Sequence, residues 1–157
     1  MIDGLRAVRD DDAEALCALI GGIYADYGCL LEPDGQDADL LRLATVTAER
    51  GGAMWVVERY GDVVGCCGWA PYAGGGIELK RLYVGAAARR QGLGSALVRL
   101  VEEAAVAAGA DVIVLWSDTR FTAGHRLYEA HGFARQPETR ELHDASNSVE
   151  YHYAKHV

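Results

Sequence analysis

A chain of 157 residues, half of them apolar, is long enough to bury one sizeable core and too short for two comfortable ones, so a single domain spanning 1–157 is expected. A formal charge of −8 excludes a general nucleic-acid binder, because neutralising a phosphate backbone needs a broad basic surface; any polyanion bound here should be small and held locally. No run approaches the roughly 18 apolar residues of a membrane span, and MIDGLRAVRD lacks an apolar signal region, so a cytoplasmic protein without a membrane role is expected.

In chain order, Leu5 to Val8 can form a short strand. Asp10, Asp11 and Asp12 offer a cap and favourable charge for a helix running to about Tyr27, with Leu16, Leu19, Ile20 and Ile23 as its apolar stripe. LLEPDGQDAD breaks the pattern at Pro33 and Gly35. Leu40, Leu41, Leu43, Ala44 and Val46 then predict a second helix ending near Gly51. Asp26, Glu32, Asp34, Asp37 and Asp39 form an acidic stretch with no basic residue between them, for which a solvated loop is the simplest expectation and attraction of a cationic amine the alternative. Met54–Glu58 and Val63–Trp69, separated by RYGD, read as an antiparallel hairpin, and PYAGGG turns into a strand over Ile77–Val84.

The pattern then changes period. Ala96, Leu97, Leu100, Val101, Ala104 and Ala108 recur at helical spacing, and Gly109 stands where a C-cap glycine belongs. VIVLW, Val112 to Trp116, is a continuous apolar run suited to a strand buried on both faces. Strand, glycine loop, helix and buried strand make a βαβ unit. A short helix from Thr122 to His131, closed by Gly132, precedes two late strands over Ala134–Leu142 and Val149–Lys155. Cys17, Cys29, Cys66 and Cys67 have no CxxC spacing and read as reduced thiols, the adjacent pair on opposite faces of a strand. His152 and His156 fall in an alternating strand pattern, so no metal is expected.

RRQGLGSAL, residues 89 to 97, carries the chemistry. The first N–H groups of a helix have no backbone partner and the helix dipole favours an anion there, while glycines let a phosphate come close. A dinucleotide fingerprint needs a small residue where Leu97 stands, and a Walker loop needs Gly-Lys-Ser/Thr, which is missing. What remains, Arg89-x-x-Gly92-x-Gly94 after IELKRLYV and before an alanine-rich helix, resembles the pyrophosphate-binding motif of the GNAT superfamily of N-acetyltransferases, enzymes that use acetyl-CoA. The resemblance extends over nearly the whole chain, and HRLYEAHGF is similar to the family's late helix, with Tyr128 and the Gly132-Phe133 pair in the usual places. It implies an α/β fold with a mixed, mostly antiparallel sheet of six or seven strands flanked by about four helices. It also implies acetyl-CoA contacts from Leu82, Tyr83, Val84, Arg89, Arg90, Gln91, Gly92, Leu93, Gly94 and Ser95. One departure is Phe121, where the family often carries an asparagine that contacts the cofactor. Lys80, Arg81, Arg89, Arg90 and Arg99 against the single acid Glu78 agree with a bound polyanion.

Acetyl transfer to an amine needs the neutral amine, because an ammonium has no lone pair, so something must accept a proton. Glu78 matches the position where many members of the family carry a glutamate base; the plainer reading is a carboxylate paired with Lys80 or Arg81. Tyr128 matches the tyrosine placed near the thioester sulfur, where a phenol can protonate the departing thiolate; the plainer reading is a packed helix tyrosine. A backbone N–H near Leu82 to Val84 can stabilise the tetrahedral oxyanion. No histidine is placed beside Cys66 and Cys67 to make an acyl-cysteine route, so direct attack in a ternary complex is favoured. The expected function is an N-acetyltransferase acting on a primary amine, small-molecule or peptide, with a homodimer as a candidate assembly. The alternatives are a non-catalytic CoA-binding or sensing module and a plain phosphate-binding domain.

Overall fold

The computed structural model describes all 157 residues. In chain order the elements are β1 (Leu5–Ala7), α1 (Ala13–Asp26), α2 (Leu43–Arg50), β2 (Ala53–Arg59), β3 (Asp62–Tyr72), β4 (Gly76–Val84), α3 (Leu93–Ala107), β5 (Val112–Asp118), α4 (Thr122–Ala130), β6 (Ala134–Glu141) and β7 (Val149–His156). The seven strands form one sheet in the order β1-β2-β3-β4-β5-β7-β6, antiparallel throughout except for the β4–β5 pair. The expected sheet of six or seven strands with about four helices is therefore present.

Local chemistry explains the joints. RYGD closes the β2–β3 hairpin with Tyr60 and Gly61 both at positive φ, 53° and 82°, the combination a two-residue turn needs to match the twist of its strands. The three acids before α1 do not cap it with their side chains. Asp12 accepts from the Arg6 guanidinium and the Arg9 amide, and Asp10 accepts from Thr45 at the start of α2. The second expected helix is divided: Ala38–Arg42 is a 3-10 turn and only Leu43–Arg50 is α-helical.

The sheet has two covered faces. α3 and α4 bury one of them, with Leu97, Val98 and Val101 of α3 on Ile77, Leu79, Ile113 and Leu115. α1, α2 and the 3-10 turn bury the other, with Leu16, Ile20, Leu40 and Leu43 on Met54 and Val56. Cys67 belongs to the first cluster and Cys66 to the second, as strand alternation requires.

Two irregularities in β4 create the space for a site. Its parallel pairing with β5 covers only Ile77↔Ile113 and Glu78↔Val114, after which the strands part. On its other edge the register slips: Gly68 faces Lys80 and Cys66 faces Tyr83, so Arg81 and Leu82 together oppose Cys67. Arg81 sits at φ 56°, a left-handed conformation that is uncommon for a residue with a side chain and re-aims the strand at this bulge.

Candidate functional site

Two cavities flank the gap between β4 and β5. One, of about 380 Å³, lies over the start of α3 and is lined by Leu82, Tyr83, Val84, Arg89, Arg90, Gly92, Leu93, Gly94 and Ser95, together with residues of α1 and α4. Of the expected acetyl-CoA contacts only Gln91 is outside it. Its side chain is drawn away, accepting from Arg59 at 3.0 Å and donating to the Ala87 carbonyl at 3.3 Å.

This cavity suits a phosphate. The main-chain amides from Arg90 to Ser95 donate to no backbone acceptor, and Gly92 caps α3 with no side chain to occupy them. Arg90 and Gly92 both have positive φ, 62° and 75°, which turns successive amides toward a common concavity. Arg89 folds back to donate to the Val84 carbonyl at 3.1 Å, fixing the loop on the end of β4. Gly94 has a packing reason for its size: a Cβ there would stand 3.1 Å from Leu127 of α4. Ser95 is hydrogen-bonded to His131 at 3.0 Å, and His131 to Glu102 at 3.3 Å, which ties α4 to the first turn of α3.

The second cavity, of about 290 Å³, lies beyond the gap, between the α1–α2 connection, β4, β5 and the β6–β7 loop. Glu78 lines it, with Lys80 Nζ at 3.5 Å from its carboxylate, so the ion pair expected as the plainer reading is present beside the candidate base. Lys80 and Arg81 line this cavity and not the phosphate loop, which corrects the expectation that they add to a CoA-binding charge. Arg81 instead runs to Asp37 at 3.0 Å and Asp39 at 2.6 Å, all three side chains nearly buried at 13%, 7% and 12% exposure. The expectation of a solvated loop therefore fails for Asp37 and Asp39, because the cation that neutralises them arrives from β4.

Five residues line both cavities: Leu82, Tyr83, Ser117, Phe121 and Tyr128. Phe121, where an asparagine was the family expectation, instead packs against Tyr27 (5.0 Å), Tyr24 (5.7 Å) and Tyr83 (6.5 Å) as an aromatic wall between α1 and the gap. The Tyr83 hydroxyl is engaged by that of Tyr24 at 3.1 Å. Tyr128 and Ser117 differ, for both are buried, at 6% and 7% exposure, and neither hydroxyl bonds to any group of the protein. Burial pushes the Tyr128 phenol well above its ordinary value, so it is held protonated. Sequence reasoning missed Ser117. The available signal was strand alternation in VIVLWSD, where the row Ile113, Leu115 turns polar at its last member, at the carboxyl end of a strand.

The rest of the second cavity is held by ion pairs. Burial alone would raise the Asp118 carboxyl, but Arg120, at 2.8 Å, overcomes it and holds the group below the usual range. Trp116 is stacked on His152 at 4.3 Å and covered by the Arg140 guanidinium at 4.4 Å, while Arg140 bonds Glu150 at 2.6 Å. Burial pushes the Cys66 thiol up to about 12 and Cys67 well above its ordinary value, so neither is a thiolate near neutral pH.

A seven-stranded mixed sheet whose parallel pair parts over a glycine loop, with unpartnered amides at a helix start on one side and a polar cavity on the other, is the fold of an acetyltransferase. Residues 50–135 match the Acetyltransferase (GNAT) domain family, and the chain belongs to that family. The Escherichia coli protein YjgM, an uncharacterized N-acetyltransferase, is 32% identical over 134 residues, covering 82% of this chain and 80% of the relative. A GNAT-family acetyltransferase structure from Staphylococcus aureus Mu50 superimposes with a TM-score of 0.82 at 19% identity, covering 97% of both chains. A Bacillus anthracis acetyltransferase solved in complex with acetyl coenzyme A has a TM-score of 0.59 at 16% identity, covering 68% of this chain and 62% of that one. No helix is long and apolar enough to cross a membrane.

Proposed function

We propose that residues 1–157 act as one cytoplasmic domain that transfers an acetyl group from acetyl-CoA to a primary amine by direct attack in a ternary complex. The observation that carries the reading is the meeting of the two cavities at the β4–β5 gap, with the unpartnered hydroxyls of Tyr128 and Ser117 at the junction. CoA fits the first cavity, its pyrophosphate on the amides of residues 90–95 with Arg89 and Arg90 beside it, and its pantetheine arm along Leu82–Val84.

In this reading the amine enters from the second cavity and its nitrogen attacks the thioester carbon. Glu78, 3.5 Å from Lys80, takes the proton that the nitrogen loses, directly or through water. The oxyanion is stabilised by a main-chain N–H beyond the β4 bulge, and collapse breaks the C–S bond as Tyr128 hands its proton to the thiolate. Tyr128 is then reprotonated from solvent, so the balance is ammonium plus acetyl-CoA to amide, CoA thiol and one proton. A candidate acid at the junction and a candidate base in the adjoining cavity favour an enzyme over a sensing module, which needs neither. The deciding test is thiol release from acetyl-CoA over a panel of amines; tight CoA binding with no turnover on any amine would establish the sensor instead.

A further inference from the structure

We infer that the acceptor is a small free diamine held in the second cavity, and not a protein N-terminus, a lysine side chain or an α-amino acid; this rests on the acetyltransferase reading above. A polypeptide acceptor needs an open groove, and here the groove is roofed. The α1–α2 connection and the β6–β7 loop are joined above the cavity by three hydrogen bonds: Leu30 N–H to Ser146 Oγ at 2.8 Å, Gln36 Nε2 to the Leu142 carbonyl at 3.2 Å, and Ala145 N–H to Glu32 Oε2 at 3.3 Å. The cavity, about 290 Å³ and partly open to solvent, is at the bottom of the range for sites that take drug-sized ligands.

The charge of the lining selects among small amines. Glu78, Asp118 and Glu150 each have one cation of their own, in Lys80, Arg120 and Arg140. Arg81 is shared by two carboxylates, Asp37 and Asp39. Asp144 has no cation bonded to it and accepts only from the Ser148 amide and hydroxyl, both at 2.7 Å. The cavity thus holds negative charge in excess on the acceptor side, and its one unpaired cation, Arg50, is on an exposed helix end. An α-carboxylate would find only Arg50, on that exposed helix end, whereas a second ammonium finds Asp144. Ser117 lines both cavities with its hydroxyl bonded to no protein group, so it is open to a polar ligand at that junction.

The test is steady-state thiol release by the full chain with acetyl-CoA and four acceptors: 1,4-diaminobutane, butylamine, alanine and a hexapeptide with a free N-terminus. A charge-assisted hydrogen bond to the second ammonium raises kcat/KM for the diamine at least about tenfold over butylamine, and the peptide and alanine fall below both. Asp144→Asn keeps an oxygen to accept from Ser148 and removes the charge, so the diamine-to-butylamine ratio collapses toward one. A peptide or alanine rate equal to the diamine rate overturns the proposal while leaving the acetyltransferase reading intact, as does an Asp144→Asn enzyme with an undiminished ratio. Calorimetric CoA binding with no turnover on any of the four overturns both.

Discussion

Replacing Tyr128 by phenylalanine separates a proton donor from a packed ring. The ring touches Phe133 and Tyr153, at centroid separations of 5.9 and 6.1 Å, and the substitution retains both contacts. The hydroxyl bonds to no protein group, so its removal leaves no buried partner unsatisfied, and the loss of stability should be below about 0.5 kcal/mol, or less than about 2 °C in Tm for a chain of this size. Turnover should fall by about 10²- to 10⁴-fold, the usual worth of a general acid, with the Kd for CoA unchanged. Because burial keeps the phenol protonated, the defect should be the same at every pH from 6 to 9, and the wild-type profile should carry no basic limb from this residue. Calorimetry, thermal melts and thiol-release kinetics on one preparation measure all of these. A Tyr128→Phe protein that melts many degrees early while each folded molecule turns over normally would refute the assignment and make the hydroxyl structural.

Gly92→Ala has open space for its Cβ, but at φ 75° it imposes left-handed strain of about 1–2 kcal/mol, so Tm should drop by a few degrees and the Kd for CoA should rise as the amides are turned out of line; an unchanged Kd would remove the phosphate assignment. Glu78→Gln should lower kcat/KM for the amine by roughly 10²-fold near neutral pH and recover in part as rising pH supplies free amine, and a wild-type profile in the variant would transfer the base role elsewhere. Arg81→Met leaves Asp37 and Asp39 buried without their cation and should cost about 3–5 kcal/mol in denaturant melts, with Asp37→Asn and Asp39→Asn added together restoring most of it; a loss below 1 kcal/mol would show that the pair is hydrated.

The two halves of the site were unequally legible in the sequence. The proposed phosphate half is local: glycines, arginines and helix start lie in one contiguous string, and the feature that suits an anion, free amides at a helix terminus, depends on nothing far away. The strands and helices were readable for the same reason, since periodicity is a local signal, and only the 3-10 turn over Ala38–Arg42 departed from an expected helix. The acceptor half is assembled from long-range pairs. Nothing near Asp37 or Asp39 in the chain announces that Arg81, more than forty residues later, will be turned to them by a left-handed bulge. For Gln91 the motif did not show that Arg59 and the Ala87 carbonyl hold its side chain, which leaves only its main-chain amide to face the cavity.

That bulge links the two halves. A regular β4 would continue its ladders past Glu78 and would send the residue 81 side chain along the sheet's ordinary alternation. With Arg81 in the left-handed region, one residue does two things: its backbone breaks the register with β3 where β4 has already left β5, and its side chain anchors the acceptor-side connection through two carboxylates. The strain at φ 56° is held in place by a buried ion cluster, so gap and cavity wall stand or fall together. The three roof bonds, by contrast, are exposed and singly weak, so they add little to what the buried ion cluster fixes.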